Sequence, residues 1–103
     1  MNARLLPDAE AEAQATAQWY EDQQAGLGEQ FLAAFVDGIL QVERHPSRFP
    51  RVERLRVKRE IRRCMLGRFP YSIVYEVRER DLLILAVAHA KRRPNYWRKR
   101  LGG

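Results

Sequence analysis

Cysteine is almost absent from this sequence: Cys64 is the only one in 103 residues. A lone cysteine cannot close an internal disulfide, which suits a reducing compartment. With no second thiol or histidine at ligand spacing, Cys64 reads as a small core residue. Long apolar runs are missing too. The longest, such as Leu82 to Ala88, fall well short of the roughly 20 residues that cross a bilayer. No basic-then-apolar leader pattern opens the chain, so a cytoplasmic protein without a membrane partner is expected. Repeats, low-complexity tracts and linkers are absent, and residues 1–103 read as a single domain. The sequence also lacks a glycine-rich phosphate loop, an HExxH pattern and a supported Ser-His-Asp set. The acids of the second half are scattered rather than clustered, so no metal and no other cofactor is expected.

What is present is enough apolar residue for one modest core, at 46% hydrophobic and 10% aromatic. The charge is divided unevenly. Residues 1–43 hold eight acids and a single cation, Arg4, whereas residues 44–103 hold 18 cations and five acids. A split of this size points to one face that meets an anionic partner, nucleic acid or an acidic protein segment. A merely solvated basic surface is the plainer alternative.

The pattern of residues gives a fold. "ARLL" has room for one short strand. Pro7-Asp8 marks a helix start, with Asp8 as N-cap and Glu10 and Glu12 favouring the positive helix end. Ala9, Ala13, Ala17 and Tyr20 share one helical face, flanked by Trp19, and the two aromatics are expected in the packing. Gly26 and Gly28 break that helix. Phe31, Ala34, Phe35, Ile39 and Val42 then form the stripe of a second helix, which His45-Pro46 ends. Helices joined by so short a loop pack antiparallel.

The period changes in the second half. "EIRRCML", "PYSIVYEV" and "DLLILAVAHA" are strand-length runs rich in β-branched and aromatic residues. Tyr71, Ile73, Tyr75 and Val77 fall on one face and are expected under the helices. The last strand is apolar on both faces, as a central strand is. Pro94 opens a terminal helical turn, "PNYWRKRL", whose aromatics pack inward while Arg98, Lys99 and Arg100 stay solvated. The fold class is therefore α+β: an N-terminal strand, an antiparallel helical hairpin, a three-stranded antiparallel meander and a short C-terminal helical turn. The far face of the sheet is left at least partly open.

Taken together, "WYEDQQAGLGEQFLAAF", "HPSRFP", "EIRRCMLGRFPYSIVYEV" and "ILAVAHAKRRPNYWRKR" resemble the RelE/ParE superfamily, the toxins of bacterial type II toxin–antitoxin modules. The resemblance runs from about residue 3 to residue 100 and implies a β-α-α-β-β-β toxin domain. It also implies a partner, a cognate antitoxin whose tail folds onto the toxin and forms a hetero-oligomer with it. Two mechanisms exist in the superfamily. RelE-like members cut messenger RNA on the ribosome without a metal. ParE-like members poison DNA gyrase by binding it.

RNA cleavage needs a base, cations for the pentavalent phosphate and an acid for the leaving oxygen. The resemblance places candidates for these roles at Arg63, Lys91, Arg93 and Tyr96, with Trp97 as the alternative register for the last. It expects an arginine where this chain has Ser72, and serine cannot hold a phosphate charge. Arg63 is preferred to Arg62 because consecutive strand residues face opposite sides. Lys91, Arg92 and Arg93 serve equally as phosphate clamps or as residues for solubility and antitoxin pairing. His89 reads as an acid–base group or as a hydrogen-bonded strand end. The expectation is a ParE-like or unassigned toxin acting by docking on a target such as DNA gyrase. The alternatives are a ribosome-dependent endoribonuclease and an inactive relative that only binds antitoxin. Whether the chain is an enzyme stays open at this point.

Overall fold

The computed structural model describes residues 1–53 and 55–102. The chain forms β1 (Ala3–Leu5), α1 (Pro7–Gln23), α2 (Leu27–Arg44), β2 (Glu60–Met65), β3 (Tyr71–Val77) and β4 (Leu82–His89), and ends in a 3₁₀ turn, Tyr96–Leu101. The sheet order is β1-β4-β3-β2, so β4 is a central strand, as its two apolar faces imply. β2, β3 and β4 form the antiparallel meander, and β1 adds in parallel to β4. A strand of three residues is marginal by itself. β1 is fixed by α2, whose Glu43 accepts the Ala3 N–H at 2.7 Å and, through its main-chain carbonyl, the Met1 ammonium at 2.8 Å. These contacts also blunt a sheet edge that would otherwise be open to another strand.

The helices follow the apolar spacing with some corrections. Asp8 is not the N-cap. Pro7 takes the first helical position, where its fixed φ fits and its missing N–H costs nothing, so Leu6 becomes the cap and Asp8 falls inside the first turn. Ala9, Ala13 and Ala17 are buried as expected. Trp19 is not packed: it is 56% exposed and touches Tyr20 edge-on, with ring centroids 5.1 Å apart. Gly26, at φ 89°, ends the loop between the helices. Gly28 breaks nothing and lies within α2. A Cβ there would sit 2.6 Å from the Ala17 carbonyl oxygen, so the glycine is what lets the two helices approach. Phe31, Phe35, Gly38 and Val42 form the buried side of α2.

The sheet has two apolar clusters, one on each face. Ile73, Tyr75, Leu82, Ile84 and Val87 pack with the helices. Ile61, Val74, Leu83, Leu85 and Ala86 pack on the far side with Trp97. Each fully buried aliphatic side chain contributes about 1.5–3 kcal/mol. Strand alternation alone cannot put Leu85 and Ala86 on the same face. The pairing shifts between Val74↔Ala86 and Tyr75↔Ile84, so Leu85 is an extra residue, a β-bulge that resets the alternation. The far face is partly covered. Val52, Leu55 and Val57 pack over it from one side, and Tyr96, Trp97 and Leu101 from the other. What remains open lies between them. No described helix is long and apolar enough to cross a membrane.

Candidate functional site

The C-terminal turn owes its place to side chains far away in sequence. β1 pairs with β4 only as far as Ile84, which leaves the next peptide groups of β4 without a strand neighbour. Side chains take over. The Val87 N–H donates to Glu12 Oε1 at 3.0 Å, and Arg100 Nη1 donates to the Leu85 carbonyl at 3.0 Å. Arg100 also grips Glu12 with both terminal nitrogens, at 2.8 and 3.0 Å, and reaches Asp8 at 3.3 Å. The Tyr96 hydroxyl donates to Glu12 Oε2 at 2.6 Å. Arg100 is thus one of the less exposed cations, not a solvated one. The last residue of the turn is also tied to the buried Glu76: Arg59 pairs with that carboxylate and donates to the Leu101 carbonyl at 2.9 Å.

These contacts set the local acidities. Burial pushes the Glu12 carboxyl up, but hydrogen bonds from Arg100, Tyr96 and Val87 outweigh it and hold the group below the usual carboxylate range. Glu76 is likewise pushed up by burial and brought lower by Arg59 and Arg78. Burial, then the Glu12 carboxylate, pushes the Tyr96 hydroxyl above the usual phenol range.

Between the C-terminal turn and the Val52–Glu53 segment lies a cleft of about 270 Å³ on the far face of the sheet. Its floor is Ser72, Val74 and Ala88, from β3 and β4. Arg63 enters from β2, and the remaining wall is His89 to Tyr96 without Lys91, backed by Trp97. Arg63 and Ser72 reach this face through the alternation that also exposes Met65, which pairs with Ser72. The turn does not open at Pro94. It starts two residues later, after Asn95 at φ 59°, which directs the chain back over the sheet.

The structure therefore brings together Arg63, Arg93 and Tyr96, with Ser72 and His89 beside them. Lys91 stays outside the cleft wall and is exposed; its N–H donates to His89 Nδ1 at 3.0 Å. The Tyr96 hydroxyl is occupied by Glu12, and its ring lies 3.9 Å beneath the Arg92 guanidinium. Arg92 and Glu53 complete the cleft's charged groups. The sequence pattern alone makes Glu12 a helix-dipole residue and leaves Arg100 solvated. The only sequence signal for their pairing is the isolation of the basic run behind β4 from any nearby acid. The cleft as built can hold an anionic group on Arg63 and Arg93, beside the apolar Val74 and Ala88 of its floor.

A helical hairpin on one face of a four-stranded sheet and a cationic cleft on the other make this a small α+β domain of the β-α-α-β-β-β layout. Residues 3–94 match the family model described as the ParE toxin of the type II toxin–antitoxin system, parDE. The chain belongs to this ParE toxin family and is the toxin component of a type II toxin–antitoxin module, with a cognate antitoxin as its partner. Among solved structures, a chain of the chromosomal ParDE TA system from P. aeruginosa has the same fold. It is 22% identical, with a TM-score of 0.64, over 86% of this chain and 95% of that one. No curated protein sequence matches.

Proposed function

We propose that this toxin stops growth by docking on a protein target, DNA gyrase being the family's example, and that it does not cut RNA. The observation that carries this reading is the state of Tyr96. As an acid for a leaving oxygen, its hydroxyl would have to face the cleft with its proton free to give. It instead donates to Glu12, with its acidity lowered by burial and by that carboxylate. Ser72 on the cleft floor adds no charge for a pentavalent phosphate. The aromatic surfaces point the same way. Single-stranded RNA is held by stacking bases on open rings. Trp97 is 3% exposed and Tyr96 is covered by Arg92, so neither offers such a face.

Induction of the toxin alone tests this. Growth should stop and recover when the antitoxin is co-expressed, translating mRNA should stay intact, and a DNA-damage response should appear. Codon-positioned mRNA cuts would refute the reading in favour of an endoribonuclease. Normal growth at good expression would leave an antitoxin-binding relative without toxicity.

A further inference from the structure

Among the described residues, an apolar stripe and a cationic cleft have no partner, and they lie on opposite sides. On the outer side of α2, Leu32, Val36 and Leu40 are 40%, 54% and 42% exposed. Their spacing of four makes one stripe, bordered by the exposed Glu29 and Asp37. Beyond the sheet lies the cationic cleft. A toxin makes two kinds of contact: a durable one with its antitoxin and a passing one with its target. Durable interfaces bury apolar surface. Passing ones are more polar, and charge steers their encounter and sets their register. The α2 stripe matches the durable contact, and the cleft matches the passing one.

We infer that the cleft is the seat of an acidic segment of the target protein. Arg63 and Arg93 hold a carboxylate, and Val74 and Ala88 receive the apolar side chain next to it. This rests on the reading that the toxin acts through a protein. At about 270 Å³ the cleft accepts one or two side chains, below the roughly 300–1,000 Å³ of ordinary small-ligand pockets. Glu53 in its wall repels a chain that is negative at every residue, as RNA is, but tolerates a peptide whose carboxylates are spaced by apolar residues. Among the described residues, the guanidinium groups of Arg63 and Arg93 have no hydrogen-bond or ion-pair partner, so both are free to bind. Arg92 is committed to the Tyr96 ring and shapes the wall.

The test is the double charge reversal R63E/R93E in the full chain, with R63K/R93K beside it. Neither position supports the fold, so melting temperature and antitoxin co-purification should match the parent. The inducer dose needed for growth arrest should rise about tenfold or more in R63E/R93E, as expected when a charge-steered contact meets like charge instead of opposite charge. R63K/R93K should fall between the two, since charge persists without the planar fork. Unchanged arrest by R63E/R93E while mRNA stays intact would overturn the cleft assignment and leave the protein-docking reading standing. Loss of antitoxin co-purification would overturn it in favour of an antitoxin seat. Cut mRNA in cells carrying the parent toxin would overturn the protein-docking reading itself, and the cleft assignment with it.

Discussion

Arg100 closes on Glu12 across 88 residues of sequence, with Nη1–Oε1 at 2.8 Å and Nη2–Oε2 at 3.0 Å. This fork ties the end of the domain to its first helix and covers the stretch of β4 that β1 does not reach. Glu12→Gln keeps the shape but removes the charge, leaving Arg100 half-buried beside a weaker acceptor. Loss of a charge-assisted pair of this kind costs about 1.5–3 kcal/mol. For a domain of this size that lowers the melting temperature by roughly 6–24 °C. Thermal unfolding followed by circular dichroism checks it, and Arg100→Lys should fall partway because it cannot form the fork.

Acid should release the C-terminal turn before the core unfolds. Glu12 and Glu76 both have carboxyls held below their unfolded range, and both anchor this turn. A group with a depressed folded pKa stabilises the fold above its unfolded value of about 4.3 and loses that contribution as pH falls through the folded value. Stability should be flat from neutral pH to about pH 5 and then drop. Trp97, 3% exposed, reports the event directly. In a Trp19→Phe background its emission should shift red below pH 4 or so, before far-UV ellipticity is lost.

The two buried glycines of α2 should respond differently to alanine. At Gly38 the new Cβ meets the ends of Ile73 and Leu66, each at 2.8 Å, and those side chains can turn. At Gly28 it meets the Ala17 carbonyl at 2.6 Å, which can yield only if the helices part. Alanine gains about 1 kcal/mol of helix propensity at either site, against an overpacking cost of about 1–3 kcal/mol. Gly38→Ala should be near neutral to mildly destabilising, and Gly28→Ala clearly destabilising. Urea midpoints measured side by side decide the order.

Tyr96→Phe separates a structural from a chemical role. Removing the hydroxyl deletes one bond to Glu12 and should cost about 1 kcal/mol, seen as a lower melting temperature. Growth arrest at a temperature where the variant is folded should be unchanged. Lost arrest with an unchanged melting temperature would give the hydroxyl a direct part in toxicity.

Much of the fold was legible because each element carries its own period: alanines and phenylalanines at helical spacing, and alternation in "PYSIVYEV". β4 declared itself central by being apolar on both faces. The details that shape the cleft were not legible. The bulge at Leu85 has no glycine or proline to mark it. The Glu12–Arg100 pair joins the two ends of the chain, and no local rule relates such residues. Trp19 misled because a large aromatic beside a buried face usually joins it, whereas here α1 turns it outward. Arg63, Arg93 and Tyr96 line one cleft that Lys91 does not enter, and the Tyr96 hydroxyl is already engaged by Glu12, which no local pattern foretells.

The most direct measurement uses purified toxin in two parallel reactions: supercoiling of relaxed plasmid by gyrase, and integrity of mRNA on programmed ribosomes. Protein docking through a cleft whose Tyr96 hydroxyl is held by Glu12 predicts inhibited supercoiling, relieved by added antitoxin, and mRNA of full length. Normal supercoiling together with mRNA cut at the ribosome would contradict it.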